Sequence, residues 1–135
     1  MSADEAKKNS KTAAEQAQEV ENQARAELDI GIYTHVFKVP VSYQGTNIDE
    51  LTFNWGKLNG TDYLDIENEL LMRGKTLITP EWTGDFLWGV AIRACTRLDE
   101  KGVRVLRADA AKSIPLRDFM LICKRARAFL LRAGS

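Results

Sequence analysis

The sequence predicts an α+β fold: an N-terminal β-hairpin packed on a small bundle of three helices, preceded by a flexible or helical N-terminal tail. Three observations predict it. Apolar residues alternate from His35 to Tyr43 and resume at Ile48 behind a turn. Two helix-start signals follow, at Asn59 and at Thr79-Pro80. A last amphipathic helix opens near Pro115. A length of 135 residues suits one domain, and an apolar content of 44% suits a globular one.

Residues 1–29 are rich in Ala, Glu, Gln and Lys, with Val20 and Leu28 the only large apolar residues after Met1. Such a segment buries too little surface to offset its ordering entropy. It is therefore read as the tail, with a single domain over residues 30–135.

In the first strand Phe37, Val39, Val41 and Tyr43 share one face, with Lys38, Pro40 and Ser42 on the other. Pro40 cannot donate to a ladder, which predicts a sheet edge or a bulge. Gln44-Gly45-Thr46-Asn47 is turn chemistry, and Ile48, Leu51, Phe53 and Trp55 form the return strand. A lone hairpin is marginal in water, so its apolar face needs helices.

The first domain helix starts at Asn59, whose side chain can cap the first turn with Asp62 three residues on. Tyr63, Ile66, Leu70 and Leu71 supply its apolar stripe, and Gly74 stops it. The second is expected to start with Thr79 as cap and Pro80 in the first helical position, and to run through Trp82, Phe86, Val90 and Ala94 to about Leu98. It is apolar on most of its circumference, which places it at the centre of the fold or against a partner. In the last helix Leu116, Phe119, Cys123, Ala126 and Leu130 make one stripe. Arg117, Lys124, Arg125 and Arg132 lie mostly opposite, with Leu121 and Ala128 among them.

Nineteen basic and nineteen acidic residues give no net charge, but the distribution is uneven. Residues 1–90 are acidic, whereas residues 91–135 carry eleven basic and four acidic side chains. Opposed halves of this kind favour attraction within or between molecules, including head-to-tail self-association.

Reaction chemistry is sparse. His35 is the only histidine and has no nucleophile in its sequence neighbourhood. No glycine-rich phosphate loop and no metal-spaced cluster occur. Asp62, Asp65 and Glu69 share one side of a helix, but without the loop carbonyls of a hard-cation site they are read as a solvated acidic face. Cys95 and Cys123 lie in apolar helical patterns and are read as small buried hydrophobes. The expectation is a non-enzyme with no cofactor and no metal. No signal core and no membrane-length apolar run are present, so a cytoplasmic location is expected.

That leaves binding. The basic residues Arg93, Arg97, Arg104, Arg107, Lys124, Arg125, Arg127 and Arg132 suit phosphates, which makes a nucleic-acid regulator the main alternative. The large apolar residues interleaved with them favour a protein partner. Trp82 and Trp88 are six residues apart and point to different sides of a helix, so one of them is expected to anchor a partner. The partner-binding candidates are Trp82, Trp88, Leu121, Arg125, Phe129, Leu131 and Arg132.

The chain resembles the tail assembly chaperones of Mu-like and other long-tailed bacteriophages and prophages. The resemblance covers about residues 36–131. It rests on the hairpin Pro40…Tyr43-Gln44-Gly45…Ile48-Asp49-Glu50-Leu51-Thr52-Phe53, on the helix start Gly60-Thr61-Asp62, and on Ile114-Pro115-Leu116-Arg117-Asp118-Phe119 leading to Phe129-Leu130. It leaves out the tail and the basic character of the last helix. The resemblance implies a chaperone of the host cytoplasm that coats the long helical tape measure protein, helps recruit tail tube protein, and is absent from the finished particle. It also implies a longer, frameshifted form of the same product as a partner. The remaining alternative is a structural tail component that stays in the particle.

Overall fold

A computed structural model describes residues 12–133, with backbone alone for 23–30. The chain divides into two compact units, one ending at Ile30 and one beginning at Gly31. Residues 1–11 of the expected tail lie outside the described residues. The rest of that tail forms helix α1, Ala13–Ile30. Thr12 Oγ1 accepts the Glu15 N–H at 3.1 Å and so caps its first turn. Val20 is exposed.

The second unit is α+β, as the sequence predicts. Its elements are β1 (Ile32–Tyr43), β2 (Thr46–Asn54), α2 (Gly60–Met72), α3 (Gly84–Ala94) and α4 (Leu116–Ala133). Short 3-10 turns sit at Trp55–Lys57, Pro80–Trp82 and Ala108–Lys112, none of them foreseen; Trp55, expected in the return strand, opens the first.

β1 and β2 pair antiparallel through a two-residue turn. Gln44 (φ 49) and Gly45 (φ 76) are both left-handed, the conformation that matches the twist of the flanking strands. The register is regular from Ile32↔Asn54 to Val36↔Glu50, breaks, and resumes at Val41↔Ile48. The break holds Phe37, Lys38, Val39 and Pro40, so the bulge expected at Pro40 is present. It also corrects one expectation. Phe37, Val41 and Tyr43 are buried, but Val39 is turned out and 74% exposed. The outer edge of β2 is partly covered by the chain leaving α3: Phe53 bridges Cys95, and the Thr96 N–H donates to Thr52 O at 2.9 Å.

α2 begins as its sequence dictates. Asn59 Oδ1 accepts the N–H groups of Thr61 and Asp62, and Asp62 Oδ2 accepts the Asn59 N–H at 2.9 Å, a reciprocal cap. It ends at Gly74 (φ 76), where the Gly74 N–H donates to Leu71 O and the Lys75 N–H to Leu70 O. Ile66 and Leu70 are buried, whereas Leu71 is exposed.

α3 starts later and ends earlier than expected. Pro80–Trp82 forms only a 3-10 turn, Thr79 makes no side-chain cap, and Thr83 is extended (φ −98, ψ 121). Cys95 is extended again (φ −62, ψ 129). Between them Phe86, Leu87, Trp88, Val90, Ala91 and Ala94 are buried, so the helix is central. α3 packs on both α2 and α4, and α4 also packs on β1.

The core is threaded by an aromatic stack. Tyr33 lies over Phe53 (6.2 Å), Phe53 over Trp55 (5.2 Å) and Trp55 over Phe129 (6.3 Å). Phe53 and Trp55 are fully buried. Cys95 and Cys123 are free and buried, as read from their apolar settings. No helix among the described residues is long and apolar enough to cross a membrane.

Candidate functional site

α4 is long because its residues are good helix formers from Leu116 to Ala133, and it is amphipathic by design of its spacing. Ile122, Cys123 and Ala126 face the core. Residues three, four and seven apart share a side, so Leu116, Met120, Lys124, Arg127 and Leu131 line up on a flank that adjoins the core-facing side at Cys123. Leu116 (71% exposed), Met120 (60%) and Leu131 (49%) leave large apolar surface in water there. Leu116 was expected in the core stripe. It departs because it is the first residue of the helix, ahead of the packed turns.

Facing this flank is the 3-10 turn that replaces the expected helix start. It holds Trp82 at the surface, 60% exposed. The Arg127 guanidinium sits 4.4 Å above the Trp82 ring. Between turn and helix runs an open groove of ≈ 860 Å³, floored by Leu87 and Cys123 and flanked by Leu116, Met120 and Leu121. Burial pushes the Cys123 thiol up to about 12, so the floor is neutral. The charged side chains in the lining are Arg117, Lys124 and Arg127, with no carboxylate among them.

The groove gathers two of the seven expected binding residues, Trp82 and Leu121. Leu131 is exposed farther along the same flank, and Arg132 is exposed beside it. Arg125 and Phe129 lie on the other side of α4, toward the hairpin. Arg125 is 4.8 Å above the Tyr33 ring, and half-buried Phe129 closes the Trp55 stack. Trp88 requires a correction. It is 4% exposed, its Nε1–H donates to Ala108 O at 3.1 Å, and its ring packs 5.0 Å from Phe119. Of the two tryptophans Trp88 is core and Trp82 is surface. The sequence singles out neither Met120, Leu87 nor Arg117 as a contact, and Lys124 only as a candidate for phosphates. The four-residue step from Leu116 to Met120 was the available signal.

The other clusters are internally engaged. His35 is buried with both ring nitrogens occupied, Nδ1 by the Tyr33 hydroxyl and Nε2 by Asp118 Oδ1, each at 2.7 Å. Asp62, Asp65 and Glu69 are not a bare acidic face. They surround Arg93, at 3.2, 3.7 and 2.8 Å. Arg93 is therefore withdrawn from any phosphate-binding surface. A larger hollow of ≈ 1280 Å³ between α2, α3 and residues 102–111 includes this cluster and mixes both signs of charge. In that region the Tyr43 hydroxyl donates to Asp109, and burial first, then that carboxylate, pushes the phenol pKa up. Among the described residues no group of acidic, His or Cys side chains is placed to hold a metal.

Compared with known proteins, the chain matches no protein-family model, no curated protein and no solved structure.

Proposed function

We propose that the chain is a non-enzymatic phage tail assembly chaperone. It holds apolar helical segments of the tape measure protein in the groove between the Pro80–Trp82 turn and α4, and it assists tail tube assembly. The supporting observation is the groove itself: Trp82, Leu116, Met120 and Leu121 are exposed around a neutral floor and rimmed by cations. Exposed apolar side chains in one place are the usual mark of a protein-binding surface. The length of α4 suits the mode in which one amphipathic helix lies in the groove of another protein.

Release is part of the role, because the tube must replace the chaperone. An open groove with few anchors gives modest affinity per copy, and many copies along one client supply the avidity. A frameshifted longer form and a second copy of the chain are proposed partners in the same assembly. The site of action is the host cytoplasm, and the chaperone leaves before the particle is complete.

The experiment is co-expression with a tape measure protein of a long-tailed phage, chosen from the genome that carries this gene, followed by pull-down in low and high salt. The expected result is a client that stays soluble and co-purifies in both. Trp82→Ala and Met120→Glu should lose the client while unfolding within about 0.5 kcal/mol of the parent, as surface substitutions do. Trp88→Ala should instead destabilise by about 3–5 kcal/mol. Nucleic acid recovered in low salt only, with no client, would replace this reading with the nucleic-acid regulator. Recovery of the chain from purified particles would replace it with a structural tail component.

A further inference from the structure

We infer that the segment the groove accepts is an acidic amphipathic helix, with apolar residues at i, i+3 or i+4, and i+7 and with Asp or Glu along both flanks. The inference rests on the client-binding reading above and names the chemistry of that client.

The whole chain is charge-neutral, so a purely cationic lining is a local property. Arg117, Lys124 and Arg127 supply it. Two of the carboxylates nearest in sequence are engaged elsewhere. Asp118 is held by His35 at 2.7 Å and Asp85 by Lys75 at 3.6 Å. Neither lines the groove. Glu81, beside Trp82, lies near enough to Tyr63 to raise its pKa, after burial and Glu67, and is not in the groove lining.

The cations also stand in two places. Arg117 and Lys124 are seven residues apart on one side of α4, which separates them by ~10 Å along the axis. Arg127 starts from the same flank of α4, but its guanidinium reaches across to the turn on the other bank and stacks on Trp82. Leu116 and Met120 line the same groove, and Leu131 is exposed one turn beyond Arg127. A helix laid along α4 would put its apolar stripe on these residues and a row of side chains over each bank. Carboxylates at a seven-residue spacing match Arg117 and Lys124. Lysines there would meet like charge on both banks, which disfavours basic segments.

The test uses the full chain and three synthetic helical peptides of eighteen residues with one shared leucine stripe. Their flanking positions are all Glu, all Gln or all Lys. Binding is read by anisotropy of a dye on the peptide. The Glu peptide should bind about tenfold tighter than the Gln peptide, as expected for three rim ion pairs, and the Lys peptide weakest. The variant Arg117→Glu/Lys124→Glu/Arg127→Glu should invert that order. The milder Arg117→Gln/Lys124→Gln should narrow the gap with unchanged thermal unfolding. Equal affinity for all three peptides would overturn the acidic assignment and leave the groove reading standing. Failure of every peptide to bind, or binding unaffected by Met120→Glu, would overturn the groove reading and this inference with it. Displacement of the Glu peptide by a short DNA duplex at equimolar concentration would overturn both in favour of phosphate recognition.

Discussion

His35 on β1 and Asp118 in the first turn of α4 are joined Nε2 to Oδ1 at 2.7 Å, across 83 residues of sequence. With Nε2–H given to Asp118, Nδ1 accepts the Tyr33 hydroxyl, and the edge of the ring meets Phe37 at 4.8 Å. The pair ties the hairpin to the last helix through a buried polar link. Asp118→Ala leaves His35 unsatisfied at 4% exposure and should destabilise by about 2–3 kcal/mol. Asp118→Asn keeps an acceptor and should cost about 1 kcal/mol. Urea unfolding checks this: the midpoint should move in that order with an unchanged slope.

Arg93 balances three carboxylates while only 14% of its side chain is exposed. Asp62 serves it with Oδ1 and the Asn59 cap with Oδ2, so one residue supports both a helix start and a helix–helix contact. Arg93→Met should destabilise by about 1–2 kcal/mol, between the values for exposed and buried pairs. Part of the loss should return in 0.5 M salt, because the remaining repulsion among Asp62, Asp65 and Glu69 is screened. Thermal unfolding at two salt concentrations gives the comparison.

At Gly89 the backbone of α3 lies against Ile66 of α2. A Cβ there would stand 2.7 Å from Ile66 Cγ2, a buried and stiff β-branched side chain. Alanine favours a helix interior by about 1 kcal/mol over glycine, so propensity alone predicts stabilisation. Overpacking should reverse the sign, leaving Gly89→Ala destabilised by about 1 kcal/mol net. Combining it with Ile66→Ala should cost less than the sum of the two single changes, which a double-mutant cycle measures directly.

Cys123 carries a folded-state pKa raised from 9.0 to about 12 by burial. A thiol is neutral when protonated, so the folded chain holds this proton more tightly than the unfolded chain. The associated stability is complete below pH 9 and is lost as pH rises toward about 12. Burial shifts Cys95 the same way. Stability should fall above pH 9 by at most about 1.4 kcal/mol per pH unit for each such group. Cys123→Ala should reduce that slope in urea titrations between pH 8 and 10.5. Iodoacetamide should label the native chain poorly at pH 8 and the unfolded chain readily.

What could be read from the sequence was what is decided locally. Asn59 and Asp62 make a cap within three residues, and Gln44-Gly45 makes a turn within two, so both were visible as letters. Pro40 announced its bulge because it lacks an N–H. The side chosen by Trp82 and Trp88 was not visible, because it depends on Thr83 being extended and shifting the start of α3. Helical spacing carried through Thr79 and Pro80 gave the wrong phase. The partners of Arg93 were hidden for another reason: Asp62 lies 31 residues away, and a charge pattern along one helix does not report what faces it. Of the groove, Leu121 was legible as an apolar residue on a basic side and Trp82 as one of two candidate anchors, whereas Leu116 passed for part of the core stripe and Met120 drew no reading.

The closing role of α4 has a consequence for synthesis. The ring that completes the Phe53–Trp55 stack arrives at position 129, and the acceptor for His35 at position 118. A ribosome therefore finishes the hairpin long before it makes the helix that covers it. During that interval the part of the hairpin face that α4 covers is bare, and the emerging chain is itself a sticky nascent product. Contacts of such wide sequence separation also slow the final step of folding. Any premature stop before α4 leaves a chain without a closed core.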